Sequence, residues 1–295
     1  MPYTQQWVNN KGVDLYVVTE GEPDKPAVVL VHGYPDNHSV WDAVTRYLVR
    51  HYFVIRYDAR GAGRSASPAR TRDYRMHHLA ADLESIVNAV IPGKSFHLVG
   101  HDWGSIQSWE SVTTTPLSSR VLSYTTISGP CLDHVANWVR SNLAGKGKAG
   151  RQKVFQQLAS SWYIFLFQLP LIPEALWSGG LDRLWPTYLA RREQVTDAIP
   201  DPFQKKDGYH GVKLYRANFL PRLLRPKARH ASCPVQLILP RQDSYVGQQL
   251  AEGLEQWTST LVRKEIDAPH WVVLTHPEQI AEWIDEFVRN PKAAA

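Results

Sequence analysis

Within Gly100-His101-Asp102-Trp103-Gly104 an acidic residue stands between two glycines, directly after the apolar run Phe96-His97-Leu98-Val99. The arrangement small-x-nucleophile-x-small is that of a strained strand-to-helix turn that holds its central side chain out for reaction. Asp102 takes the central position. A carboxylate, with a reference pKa of about 3.9, is ionised near neutral pH without help. It can displace a leaving group at saturated carbon and remain joined to it as an alkyl ester. Taken alone, the pentapeptide also reads, somewhat less well, as a helix start with Asp102 as N-cap, so the weight falls on what else the chain carries.

His32-Gly33-Tyr34-Pro35 follows the apolar run Val28–Val31, where the amides of Tyr34 and Trp103 would converge on one anion as an oxyanion hole. Asp243, in Pro240-Arg241-Gln242-Asp243, and His270, in Asp267-Ala268-Pro269-His270, each follow another apolar run. Nucleophile, acid and histidine in that chain order fit such an elbow. His270, oriented by Asp243, would activate water to attack the carbonyl carbon of esterified Asp102. Asp267 is a rival acid three residues before the histidine, but it falls at the strand end.

These side chains need a scaffold that brings distant segments to one edge. The runs 27–31, 53–57, 96–99 and 121–127 are near-continuously apolar, as in strands buried on both faces of a parallel sheet. Between them, 39–50 and 75–90 repeat apolar residues with helical spacing. Strand and helix alternate, which predicts an α/β doubly wound sheet whose carboxyl edge binds ligands. Val13 to Glu20, after Asn9-Asn10-Lys11-Gly12, reads as half of an antiparallel edge hairpin. The alternation stops after Gly129-Pro130 and resumes with 234–239 (strand), 248–257 (helix), 261–266 (strand) and 277–288 (helix). The expected division is a first core part at 1–130, a helical cap at 131–230 and a second core part at 231–295.

Asp58-Ala59-Arg60-Gly61-Ala62-Gly63-Arg64-Ser65 resembles the Asp-x-Arg-Gly-x-Gly-x-Ser loop of the α/β-hydrolase family. Its glycines suit turns and its Asp-Arg pair suits loop bracing, whereas the spacing does not fit a dinucleotide fingerprint. Trp162-Tyr163-Ile164-Phe165-Leu166-Phe167-Gln168-Leu169-Pro170 resembles the first cap helix of α/β-hydrolase-fold epoxide hydrolases, and Leu214-Tyr215-Arg216-Ala217-Asn218 resembles their second tyrosine segment. The resemblance covers about residues 10 to 290 and implies an α/β-hydrolase fold. That means a mostly parallel twisted sheet with an antiparallel edge hairpin and a helical cap after the sixth strand. It further implies Tyr163 and Tyr215 as donors to an epoxide oxygen, a cavity lined in part by Trp103 and Phe167, a small apolar epoxide and water as substrates, and neither metal nor organic cofactor.

The chain is also similar to the hydrolase portion of bacterial fusions in which an epoxide-hydrolase-like domain precedes a short-chain dehydrogenase. Haloalkane dehalogenases share the Asp nucleophile and the following Trp, but usually add an Asn in the His-Gly-x-Pro loop or a second Trp, and here that loop carries Tyr34. A hydrolase-like binding protein without turnover is the non-enzyme alternative.

The 295 residues, 43% hydrophobic and 21% charged, suit one large core with an insertion. The net charge of +5 is spread apart from runs at 146–153 and 222–230, which lack the stacking aromatics of a nucleic-acid reader. The longest strongly apolar stretch, Trp162 to Ile172, is far short of the roughly 20 residues that cross a bilayer, so a buried or pocket-lining helix is expected and stable membrane insertion is not. No apolar leader is visible in residues 1–20, which makes the cytoplasm the default compartment. Cys131 and Cys233 should sit at opposite ends of neighbouring strands as free thiols. The terminal Lys292 to Ala295 reads as a frayed end, and a homodimer is left open.

Overall fold

In a computed structural model, which describes residues 2–113, 116–145 and 147–291, the apolar runs become an eight-stranded sheet. Lys146 and the end from Lys292 to Ala295 lie outside the described residues. The strands are β1 (Tyr3–Asn10), β2 (Val13–Glu20), β3 (Ala27–Val31), β4 (Phe53–Tyr57), β5 (Phe96–His101), β6 (Val121–Ile127), β7 (Val235–Pro240) and β8 (Leu261–Ile266). Their order is β1-β2-β4-β3-β5-β6-β7-β8. The pairings β1–β2 and β2–β4 are antiparallel and all others parallel. The β1–β2 turn is made by Lys11 and Gly12, both at positive φ.

Burial on both faces explains the unbroken apolarity. Along β3, Ala27, Val29 and Val31 join Leu83, Ile86, Trp109 and Val112 of the helices Met76–Val90 and Trp103–Thr113. Val28 and Leu30 face the other way, onto Val44 and Leu48 of Asp42–Leu48 and Ile280 and Ile284 of Pro277–Arg289. Side chains alternate across a strand, so a strand covered on both sides has no polar position to spare.

Between β6 and β7 the described chain is helical: Leu132–Ala144, Lys148–Ser160, Trp162–Gln168, Ile172–Leu176, Asp182–Arg192 and Gln204–Leu224. β7 then pairs directly with β6, Tyr124 opposite Val235, as though nothing intervened. Cys131 follows β6 and Cys233 precedes β7, and both are free and buried.

Three expectations change. Residues 248–257 form two short 3-10 turns rather than one helix, because Gly253 between them takes φ 73°. The stretch Trp162 to Ile172, expected as one buried or pocket-lining helix, is not one helix: it breaks at Leu169-Pro170, and Leu171 is left-handed. Asp58 and Arg60 brace their loop through separate partners. Asp58 accepts from the His38 ring and the Arg64 amide, while Arg60 makes two 2.6 Å bonds to Asp82. The same loop fastens the helical insertion, since the Gly63 amide donates to Asp207 at 2.7 Å and Lys206 reaches the carbonyls of Gly63 and Ser65.

Candidate active site

β5, buried throughout, delivers the chain to Asp102, whose φ is 52°. That left-handed backbone costs a non-glycine residue of order 1–3 kcal/mol, so packing around it has to over-determine it. Gly104 is where this packing is closest, because a Cβ there would stand 2.0 Å from the Val31 carbonyl oxygen. Gly104→Ala should therefore lower unfolding free energy by roughly 3 kcal/mol or more in urea titration, as backbone cannot yield the way a side chain does. A variant as stable as the parent would mean that β3 and the elbow do not depend on this contact.

Gly33 serves the opposite approach, its own missing Cβ leaving 2.4 Å to Asp102 Oδ1. The loop after β3 thus reaches the carboxylate, and the Tyr34 amide donates to Oδ1 at 2.7 Å. The Trp103 amide opens the next helix, where the first N–H groups have no intrahelical acceptor. The Tyr34 hydroxyl is held from above, accepting from the Trp177 indole at 2.7 Å and donating to the Gly208 carbonyl at 3.2 Å.

His270 lies after β8 and Asp243 after β7. His270 Nδ1 bonds Asp243 Oδ2 at 2.9 Å, and its Nε2 stands 3.6 Å from Asp102 Oδ2. Asp243 Oδ1 is occupied by the amides of Tyr245 and Val246, at 2.8 and 2.9 Å, so the carboxylate can neither rotate nor drift. Burial works against the imidazolium, but Asp243 and Asp102 outweigh it and hold the His270 pKa well above its ordinary value. Asp267 is exposed and bonds Gln242 instead.

The histidine backbone is fixed at both ends. His101 Nε2 donates to the His270 carbonyl at 2.9 Å, and burial lowers the His101 pKa to about 4, keeping that ring neutral. The His270 amide donates to Glu193 at 2.9 Å, a carboxylate of the insertion itself. Neither Glu193 nor Asp36, which accepts from the Trp271 indole at 2.9 Å, stood out in the sequence. Each meets its partner only in the fold, 77 or 235 residues away, although Asp36 directly follows His32-Gly33-Tyr34-Pro35.

Burial raises the Asp36 pKa to about 7, the bond from Trp271 opposes this, and the Asp102 charge adds to it. A carboxylate with a raised folded pKa destabilises the native state fully above that pKa, and the penalty fades as pH falls toward the unfolded value. Asp36→Asn is therefore expected to raise stability at pH 8 by roughly 2–4 kcal/mol and to change little near pH 4. Chemical denaturation at the two pH values reads the difference directly, and equal gains at both would refute the titration.

The insertion covers this edge. A cavity of about 780 Å³ reaches Asp102 and His270, and Tyr163, Phe167 and Tyr215 stand in its wall. The Tyr163 and Tyr215 rings are 6.0 Å apart at 82°, edge to face. Burial, reinforced by neighbouring negative charge, raises both phenol pKa values well above the ordinary range, so both hydroxyls stay protonated as donors. Arg216, next to Tyr215, fixes the spacing of their helices. Its Nε donates to the Phe167 carbonyl at 2.8 Å, and its guanidinium pairs with Glu174. Trp103 lines a smaller recess of about 60 Å³ that also borders Asp102, Tyr163 and Tyr215. As the first residue of its helix it packs edge-on under Tyr215, centroids 4.9 Å apart, and supports that tyrosine. Tyr245 and Trp185, unremarked in the sequence, complete the aromatic wall.

Among curated proteins, the chain is 34% identical to the probable oxidoreductase EphD of Mycobacterium tuberculosis, over 97% of this chain and 50% of that protein. It thus spans about half the length of that mycobacterial relative. It is 26% identical to epoxide hydrolase 3 of Xenopus tropicalis, covering 96% of this chain and 77% of that one. Two solved structures share the fold. One is an inhibitor complex of a Bacillus megaterium epoxide hydrolase, with TM-score 0.80, 19% identity, and coverage of 97% of this chain and 100% of that one. The other is the epoxide hydrolase VrEH1 of Vigna radiata, with TM-score 0.75, 21% identity, and coverage of 97% and 98%. The family profile described as alpha/beta hydrolase fold matches residues 26–277. With that match over most of its length, and with the elbow, sheet order and histidine placed as they are, the chain belongs to the alpha/beta hydrolase fold family.

Proposed function

We propose that the protein hydrolyses an apolar epoxide to a vicinal diol through an ester on Asp102. The observation that carries this reading is the pairing, in one cavity, of a carboxylate elbow with two phenols held protonated. A halide leaves without a proton, whereas an epoxide oxygen leaves as a strongly basic alkoxide and needs a donor. The tyrosines supply that donor, and relatives named epoxide hydrolase make the same assignment natural.

In the first step Asp102 Oδ2, the oxygen not held by the Tyr34 amide, forms a bond to an epoxide carbon. The ring C–O bond breaks, and Tyr163 or Tyr215 passes its proton to the released oxygen. In the second step His270, having returned its resting proton to the phenolate once the Asp102 charge is gone, takes a proton from water, whose oxygen bonds to the Asp102 carbonyl carbon. The Tyr34 and Trp103 amides hold the resulting oxyanion, which collapses; the departing diol oxygen takes the proton from His270, and the proton left on the Asp102 carboxyl returns to the imidazole, restoring the resting site. Asp243 keeps the imidazole in the tautomer with Nδ1 protonated and balances its positive charge.

The test is a single turnover in heavy-oxygen water. Because water attacks the protein carbonyl, the label is expected in the Asp102 side chain while the first diol is unlabelled, and Asp102→Ala should show no turnover. Label passing straight into the diol would mean direct attack by water. Halide release from haloalkanes without diol formation from epoxides would assign the same nucleophile to dehalogenation.

A further inference from the structure

Residues 145–192 hold seven lysines and arginines against two acids, a net +5 that equals the excess of the whole chain. The remaining residues are therefore balanced. The same segment contributes nine of the eighteen large apolar side chains exposed among the described residues, including Phe155, Phe165 and Leu171 at 67%, 59% and 77% exposure. Ordinary surface hydrophobics are scattered singly, and their gathering in a sixth of the chain marks an interaction surface.

Two further observations say what kind of surface it is. The cavity opens within it: Trp162 and Leu184, 63% and 64% exposed, line the cavity wall, as do the exposed Arg191 and Arg192. The apolar lining thus continues outward onto a cationic, apolar rim. Among the described residues no single helix is long and apolar enough to cross a membrane, but Trp162–Gln168 and Ile172–Arg192, bent by 98°, reach that composition together. Apolar side chains flanked by cations, too short and too bent to span, suit the boundary between headgroups and acyl chains.

We infer that the exposed face of the helical insertion, from about residue 148 to residue 192, docks on an anionic lipid surface with the cavity mouth turned toward it. Lys148, Arg151, Arg183 and Arg191 complement the negative headgroups, each worth a several-fold gain in affinity. Phe165, Leu169 and Leu171 supply apolar insertion. A lipophilic substrate dissolved in the bilayer then enters the cavity without crossing water. Docking itself does not require the reaction proposed above; the advantage of delivery does.

The experiment is co-sedimentation with vesicles of phosphatidylcholine alone and of phosphatidylcholine mixed with phosphatidylglycerol. The protein is expected to pellet with the mixed vesicles, and less so as salt is raised. Phe165→Ser with Leu171→Ser should lower the partition constant about tenfold or more. Lys148→Glu with Arg151→Glu should do the same for mixed vesicles only. None of these four positions lines the cavity, so turnover of a freely dissolved epoxide is the control that both variants are folded. Asp102→Asn, without turnover, should still pellet, which separates failure of docking from failure of the reaction. Pelleting no greater than without vesicles, or unchanged by both double variants, overturns the inference. So does a dimer that Phe165→Ser with Leu171→Ser converts to monomer, which would give the face to a second copy of the chain.

Discussion

Mixed with an epoxide, a His270→Gln variant is expected to gain the mass of one substrate molecule on Asp102 and to keep it. Alkylation needs only the carboxylate and a proton donor, so it survives the substitution. Release needs a base for water, so steady-state turnover should fall roughly 10⁴-fold or more. The electrostatics sharpen the expectation. In the resting site burial disfavours the imidazolium, and two carboxylates, Asp243 and Asp102, overcome it. Esterification removes the Asp102 charge and with it part of what holds the proton on Nε2. The pKa of His270 must then fall, which turns an imidazolium into a base at the stage where a base is required. In the parent protein, ester hydrolysis should therefore slow as pH drops through the lowered His270 pKa, while alkylation continues to lower pH, so that ester accumulates under acid conditions. Intact-protein mass spectrometry after quenching reads both effects. A His270→Gln protein that loses turnover yet never gains mass would show that the histidine acts before, not after, bond formation to Asp102.

Much of this site was legible because its main parts are local. A glycine-flanked acid after a buried strand, a His-Gly-Tyr-Pro loop and a histidine past a strand end each occupy a few consecutive residues. The alternation of strand and helix then puts all of them on one edge of the sheet. What escaped reading depends on tertiary contacts. Glu193 sits in the polar end of an insertion helix and becomes a backbone clamp only where the His270 amide comes to meet it. Asp36 is one acid after a turn until burial and Asp102 change its titration. Trp103 adjoins Asp102 in sequence, but its edge-on contact with Tyr215 exists only in the fold. For the apolar stretch from Trp162, composition leaves a buried and a pocket-lining helix both open, because it cannot tell which side of a helix another helix covers. Here Trp162, Tyr163 and Phe167 line the cavity, while Phe165 is left to solvent.

On the proposed mechanism, the tyrosines separate epoxide opening from dehalogenation at Asp102. Tyr163→Phe with Tyr215→Phe should slow single-turnover alkylation by an epoxide about 10³-fold or more, because the departing alkoxide loses both donors, while either single variant loses less. The substitution removes oxygen atoms and leaves the packing. Tyr215 keeps its stack on Phe219, 5.6 Å away at 7°, and its edge contacts with Phe167 and Trp103. A lost fold is therefore not the expected explanation, and thermal unfolding should confirm a transition like the parent's. Both phenols are held protonated chiefly by burial, with the charge of Asp102 adding to it. Ring opening should accordingly show no basic limb from tyrosine ionisation below about pH 10, the ordinary phenol value. A reactive alkyl halide gives the complementary measurement, because chloride or bromide needs no proton on departure. If Asp102 is poised as the geometry requires, the double variant should still be alkylated by such a halide at close to the parent rate. Equal loss with both reagents would mean that the phenols shape the cavity or the carboxylate. Undiminished alkylation by the epoxide would take both tyrosines out of the chemistry and leave the leaving-group oxygen to be protonated by some other acid in the cavity.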